Sequence, residues 1–155
     1  MVATNPIINS LIIPLYEQQF IVPQTGLAEV ISRETPEPVG SAASWLKGMI
    51  HWRGQQIPVV SLEELCGRQG SAVTRNSRYV VLYGVEKIPG LNYYAVEVSG
   101  IPHPIKLADT NMLKGGTQDR DCELVAFNVL ADGNEAVLFN TSLLERRISE
   151  QLQRL

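Results

Sequence analysis

At 155 residues, 45% of them hydrophobic, the chain can bury a sizeable core, and its length suits one domain or two small subdomains. A formal net charge of -3, with lysines and arginines scattered singly, provides no basic face for nucleic acid. Met1 to Ser10 lacks the positive region and apolar core of a signal peptide, and no apolar run approaches a membrane span. A cytoplasmic protein without membrane insertion is therefore expected. Cys66 and Cys122 lie far apart with no CxxC, so a reducing compartment would leave them as small buried thiols; a disulfide is the less favoured reading.

In chain order, Leu11 to Leu15 is an apolar run too short for a helix, and Pro14 within it predicts an edge strand or a bulge. Glu17-Gln18-Gln19 turns into Phe20-Ile21-Val22, a hairpin partner. Leu27 to Ile31 is a third short strand or a turn of helix, carrying Glu29 between apolar neighbours. Residues 33 to 44, with Pro36, Pro38 and Gly40, have loop chemistry. Leu46 to Trp52 and Gln55 to Ser61 then pair around Arg53-Gly54, and Ser61 with Glu64 is a capping-box signature for a short helix from Leu62 to Cys66. The polar, glycine-containing run from Gly67 to Ser77 suits a loop or subdomain boundary.

Tyr79 to Tyr83 and Asn92 to Val98 read as strands joined near Pro89-Gly90; Gly100, Pro102 and Pro104 should end the second. Lys106 to Gly116 is expected to be irregular or a brief helix, and Asp119-Arg120-Asp121 a polar turn. Cys122 to Leu130 should pair through Asp132-Gly133 with Ala136 to Phe139, a strong hairpin signal. A C-terminal amphipathic helix begins at Thr141, with Leu143, Leu144, Ile148, Leu152 and Leu155 on one stripe and Glu145, Arg146, Glu150 and Arg154 off it.

The chain also repeats itself. Phe20, Val22, Thr25, Gly26 and Leu27 match Tyr94, Val96, Ser99, Gly100 and Ile101 at the same internal spacing. Gly54, Ile57, Val59, Val60, Ser61 and Leu65 match Gly133, Ala136, Leu138, Phe139, Asn140 and Leu144, at a slightly larger offset, as an insertion between the echoes requires. Two related β-units with tight turns point to a mainly β protein built of paired small barrels.

Catalytic constellations are sparse. His51 and His103 have no cysteine or carboxylate at ligand spacing, so neither metal nor cofactor is expected. No Gly-x-Ser-x-Gly elbow, Walker loop or dinucleotide fingerprint occurs. A Cys66 nucleophile with His51 as base would make a small hydrolase, and a ligand-binding or structural barrel is a further alternative. The most pointed residue is Arg53, whose guanidinium is a rigid fork of donors at a tight turn. Glu29 is its candidate partner.

Leu46 to Leu62 resembles the G-x-x-x-x-R-G-x-x-x-P-V-x-x-L core of CheW-like domains, the coupling modules of bacterial chemosensory arrays. Ala28-Glu29-Val30-Ile31 is similar to that family's valine-x-glutamate-isoleucine strand, and Leu138 to Leu144 to its closing strand and helix start. The resemblance implies a single domain of two SH3-like β-barrels, the first over about 8–72, the second over about 73–140, with a C-terminal helix over about 141–155. It implies a non-enzymatic adaptor that docks on the regulatory domain of a chemotaxis-type histidine kinase and receives the cytoplasmic tip of a methyl-accepting receptor between its barrels. By position, Arg53 and Glu29 match the family's charged pair near the receptor-side surface, and Gly54 and Pro58 the corner and strand that place them. Ser61 and Asn140 stand where the family has aspartate. Ile101-Pro102-His103-Pro104 replaces a valine-rich strand, so a divergent member is expected, one serving a pilus-type or other alternative pathway.

Overall fold

A computed structural model describes residues 7–16, 18–40, 43–68, 70, 73–108, 122–131 and 133–154, and of residues 112–114 the backbone only. The strands are β1 (Ile8–Pro14), β2 (Gln19–Pro23), β3 (Leu27–Ser32), β4 (Leu46–Trp52), β5 (Gln55–Val60), β6 (Arg78–Tyr83), β7 (Tyr93–Val98), β8 (His103–Leu107), β9 (Met112–Lys114), β10 (Val125–Ala131) and β11 (Asn134–Phe139). Two helices, α1 (Leu62–Leu65) and α2 (Thr141–Gln153), follow β5 and β11. The protein is mainly β, as its patterning predicts.

The strands form a six-stranded sheet in the order β8-β1-β2-β11-β10-β9 and a five-stranded sheet in the order β3-β6-β7-β5-β4. This distribution does not follow a division of the chain at residues 72 and 73. The N-terminal hairpin β1–β2 lies among strands from the second half, and β6–β7 lies at the centre of the sheet otherwise built from the first. Each half of the sequence has given its opening hairpin to the other.

The internal echoes explain the exchange. β2 and β7 hold equivalent places, each joined in parallel to the strand that precedes a helix: β2 to β11, and β7 to β5. Val137 lies opposite Phe20, and Val59 opposite Ala95; the offsets of the two echoes make these the same register displaced by one residue. Ser61 and Asn140 sit at equivalent helix starts, their side chains accepting the backbone N–H of Glu64 at 3.3 Å and of Leu143 at 3.1 Å. Serine, asparagine and aspartate are all good acceptors at this position, so the two departures from the family pattern leave the caps intact.

Strands with buried residues on both faces need near-continuous apolar runs. Along β6, Tyr79 and Val81 face the interior of the five-stranded unit with Ile50, Trp52, Ile57, Val59 and Ala95, while Val80 and Leu82 face a core shared by both sheets. Along β2, Ile21 faces the six-stranded unit's interior, and Phe20 and Val22 the shared core. Helix α2 adds Leu144 and Ile148 to that core, with Leu143 and Leu152 packed against it. Packing on its own domain is therefore what the apolar stripe does; Leu155 lies outside the described residues.

Four local expectations change. β1 is an inner strand, between β8 and β2, and Pro14 is its last residue, beyond the stretch Ile8–Ile12 that β8 covers. Residues 103–107, expected to break the preceding strand or be irregular, form β8, with Pro104 opposite Leu11 on the outer strand of its sheet. A sheet edge is where a missing N–H costs least. Glu145, placed off the helix stripe, is fully buried. Cys66 and Cys122 are bonded to each other, with Cα atoms 4.9 Å apart, because the fold brings the end of α1 against the segment entering β10. Of the other loops, Gly67 to Ser77 is described only in part, and Asp119-Arg120-Asp121 lies outside the described residues.

Candidate functional site

The Arg53-Gly54 corner is a two-residue hairpin loop, closing β4 on β5 between the paired residues Trp52 and Gln55. Both loop residues have left-handed backbone, φ 47° at Arg53 and 78° at Gly54. That is the I′ geometry matched to strand twist, and glycine meets it without strain at the second position. Arginine at the first position needs another reason to be there.

Its side chain supplies one. Arg53 Nη2 donates to Glu29 Oε1 at 3.0 Å, and its guanidinium lies 4.6 Å from the centre of the Trp52 ring. Glu29 is on β3 and Arg53 at the end of β4, the two opposite edges of the five-stranded sheet. An ion pair between opposite edges requires the sheet to curl until they meet, so the pair bridges the seam of a small barrel. Glu37 of the loop after β3 also crosses the seam: its backbone exchanges two 2.9 Å hydrogen bonds with Met49 on β4. With side chains 60% and 38% exposed, Arg53 and Glu29 remain available at the surface, and solvent screening limits what their attraction adds to stability.

Aromatic rings continue the patch inward. Trp52 stands 4.7 Å from Tyr93, which stands 5.3 Å from Tyr83. Tyr83 is exposed, whereas Trp52 is buried and its indole N–H meets no acceptor among the described residues. The spacing of β4, β6 and β7 in sequence gave no sign of this cluster. A cross-strand partner such as Tyr83 opposite Tyr93 is a property of the assembled sheet.

Pro58 plays a different part. It is buried in β5, opposite Met49, and the parallel pairing with β7 begins one residue later at Val59, where the N–H that proline lacks is present. Pro58 therefore helps to place the corner and contributes no surface.

Two buried tyrosines brace the surrounding framework. Tyr79, inside the barrel, donates its hydroxyl to the Glu34 carbonyl, and burial pushes its phenol up to about 12. Tyr94 donates to Glu145 Oε2 at 3.2 Å; burial, and then the adjoining Glu145 carboxylate, push its phenol upward. Burial also raises Glu97 on β7 above its ordinary value, against the opposing pull of Lys47 and Arg33.

A cavity of about 710 Å³ opens elsewhere, between the β1–β2 turn and β10–β11, lined by Leu15, Tyr16, Asn128, Leu130 and Glu135, with Arg68 reaching it from beyond α1. Arg53 and Glu29 do not line it. The sequence-derived residues thus divide: Arg53, Gly54 and Glu29 meet at the barrel seam, Pro58 lies beneath, and the cavity belongs to other residues. The Cys66–His51 pairing does not form in this structure, where Cys66 is bonded to Cys122 and carries no free thiol. His51 lies exposed on β4, and no group of three or more metal-binding side chains occurs among the described residues. Among the described residues, no helix is long and apolar enough to cross a membrane.

No curated protein matches the sequence. Among solved structures, the chain is similar to the scaffolding protein TtCheW from Thermoanaerobacter tengcongensis, with a TM-score of 0.73 at 14% identity, covering 87% of this chain and 90% of that one. At that identity the likeness speaks for the fold. The sequence model of the CheW-like domain matches residues 9–142, from β1 to the first turn of α2, and the chain therefore belongs to the CheW-like domain family.

Proposed function

We propose that this protein is a non-catalytic, cytoplasmic adaptor of a chemosensory pathway, coupling methyl-accepting receptors to a chemotaxis-type histidine kinase. The observation that carries the reading is the extent of the family match: residues 9–142 include every strand of both sheets except the first residue of β1, so neither β-unit is lost. The work of such an adaptor is geometric. It holds kinase and receptor in register, and receptor conformation biases the kinase through contacts that differ between two states.

Arg53 and Glu29 are assigned to the receptor-facing surface, with Gly54 and Pro58 placing them. A guanidinium on a rigid hairpin corner, stacked on Trp52 and backed by exposed Tyr83, is the residue chemistry from which strong protein contacts are made.

The test is titration of the purified protein against the regulatory domain of a chemosensory kinase from its own genome. Saturable binding is expected; absence of binding by folded protein to every such kinase would overturn the reading and leave a barrel module of another kind. Arg53→Asn keeps a residue tolerant of left-handed backbone at the corner and removes the guanidinium. It is expected to weaken receptor coupling about tenfold while leaving kinase binding unchanged, a loss of the size one good interface arginine commonly gives. Restoration of coupling in the charge-swapped Arg53→Glu, Glu29→Arg double variant would instead place the pair's role within the fold.

A further inference from the structure

Cys66 ends α1, the last element of the first sequence repeat, and Cys122 precedes β10 in the second. Their bond joins positions 56 residues apart and closes a loop containing β6, β7, β8 and β9. It also stands at a particular place relative to the 710 Å³ cavity. Two residues beyond Cys66, Arg68 forms one part of the cavity wall; the strand that Cys122 leads into supplies another, through Asn128, Val129 and Leu130. The bond therefore ties one side of the cavity to the other. The two sulfurs are unequally sheltered: Cys122 is 6% exposed within the shared core, while Cys66 is only partly buried and lies at the helix end. A reductant reaching the pair would approach from Cys66.

We propose that Cys66–Cys122 is a reversible redox clasp, closed by oxidation and opened by a dithiol reductant, which sets how firmly Arg68 is held against β10 across the cavity. In the opening step a thiolate of the reductant attacks Cys66 Sγ, the Cys66–Cys122 bond breaks, and Cys122 leaves as a thiolate that takes up a proton. The second thiol of the reductant then attacks the mixed disulfide, freeing the Cys66 thiol and leaving the reductant as its own disulfide. Two electrons and two protons pass to the protein. In a reducing compartment a disulfide of this kind is a responsive element more often than a permanent brace. That compartment is taken from the adaptor reading. The chemistry and its test need no partner, so kinase binding is judged separately from the clasp.

The experiment uses the full chain purified in air, with dithiothreitol as the reductant and iodoacetamide as the thiol label. Mass analysis after unfolding is expected to show no labelled cysteine without dithiothreitol and both labelled after treatment of the native protein. Hydrogen exchange should then show reduced protein still folded, with amides of residues 62–68 and 122–130 opening about tenfold faster than in the oxidised form and slowing again on reoxidation. The Cys66→Ala, Cys122→Ala double variant should match the reduced protein and ignore dithiothreitol; if it does not fold, the two states of the wild type still decide. Labelling of both cysteines without reductant would overturn the proposal. So would resistance of the bond until the protein unfolds, or identical exchange in the two states.

Discussion

At Gly48 a single hydrogen atom in place of a methyl group holds the barrel seam together. Its φ is 142°, and a Cβ there would strike the Glu37 carbonyl and lie 2.9 Å from Pro36 Cβ, so the loop crossing the seam could not approach β4. Gly48→Ala is expected to destabilise the protein by about 2 kcal/mol or more, measured by urea unfolding. Tyr79, beneath the same loop, makes a pH prediction. Its phenol is raised in the folded state, so its contribution to stability is fully present below its ordinary value of 10.0 and is lost as pH rises to about 12. Unfolding free energy should fall across that interval, and Tyr79→Phe should make the fall less steep, Tyr94 supplying the rest, while costing the hydroxyl's hydrogen bond. The corner itself was legible in sequence: Arg53-Gly54 between apolar runs specifies a hairpin, and Glu29, a carboxylate between apolar neighbours, stood out as its candidate partner. The aromatic patch behind it was not, because Trp52, Tyr83 and Tyr93 meet only when three strands do.

Among the elements, α2 shows where periodicity reaches its limit. The apolar stripe correctly gave Leu144 and Ile148 to the core, but a stripe treats every charged residue beside it as solvated. Glu145 is fully buried, and its Oε1 accepts the N–H groups of Val85 and Glu86 at 2.8 and 2.9 Å while Oε2 accepts the Tyr94 hydroxyl. One carboxylate thus docks the helix on the β6–β7 connection. Glu145→Ala would leave the buried Tyr94 hydroxyl and the part-buried amides of Val85 and Glu86 without their acceptor and should cost about 2 kcal/mol. Glu145→Gln retains a carbonyl for the two amides and should cost about half as much, the comparison being made by chemical denaturation with exchange protection at residues 85 and 86 as the local readout. The cap residues Ser61 and Asn140 were readable because a cap needs only four consecutive residues. β8 was not: Pro102 and Pro104 are local signals for a break, and the strand exists because the outer edge of β1 was open to receive it.

For the whole molecule the decisive feature is the exchange of hairpins. The repeats could be seen in the sequence, since Gly54 and Gly133 head matching runs, but which hairpin enters which sheet is a long-range choice that no window of residues contains. The same holds for the disulfide, whose cysteines are separated by four strands. Division of the chain between residues 72 and 73 should therefore yield two fragments that are each largely unfolded, because each has surrendered the inner strands of its own sheet. Mixed in equal amounts, they should regain β-sheet circular dichroism and cooperative unfolding; a stable fold in either fragment alone would contradict this.

The reciprocal hairpins make each repeat depend on the other. A single repeat, free of its covalent companion, has an unmet place in its sheet and a hairpin shaped for another's, and two copies would satisfy each other by a twofold swap. Such a unit would fold only as a dimer, with a stability set by concentration. Joining the two copies end to end makes the encounter intramolecular and releases the halves from identity. Arginine precedes the glycine at one corner, Arg53-Gly54, and aspartate at its counterpart, Asp132-Gly133, so equivalent places in the two halves carry opposite charge and one architecture offers two different faces.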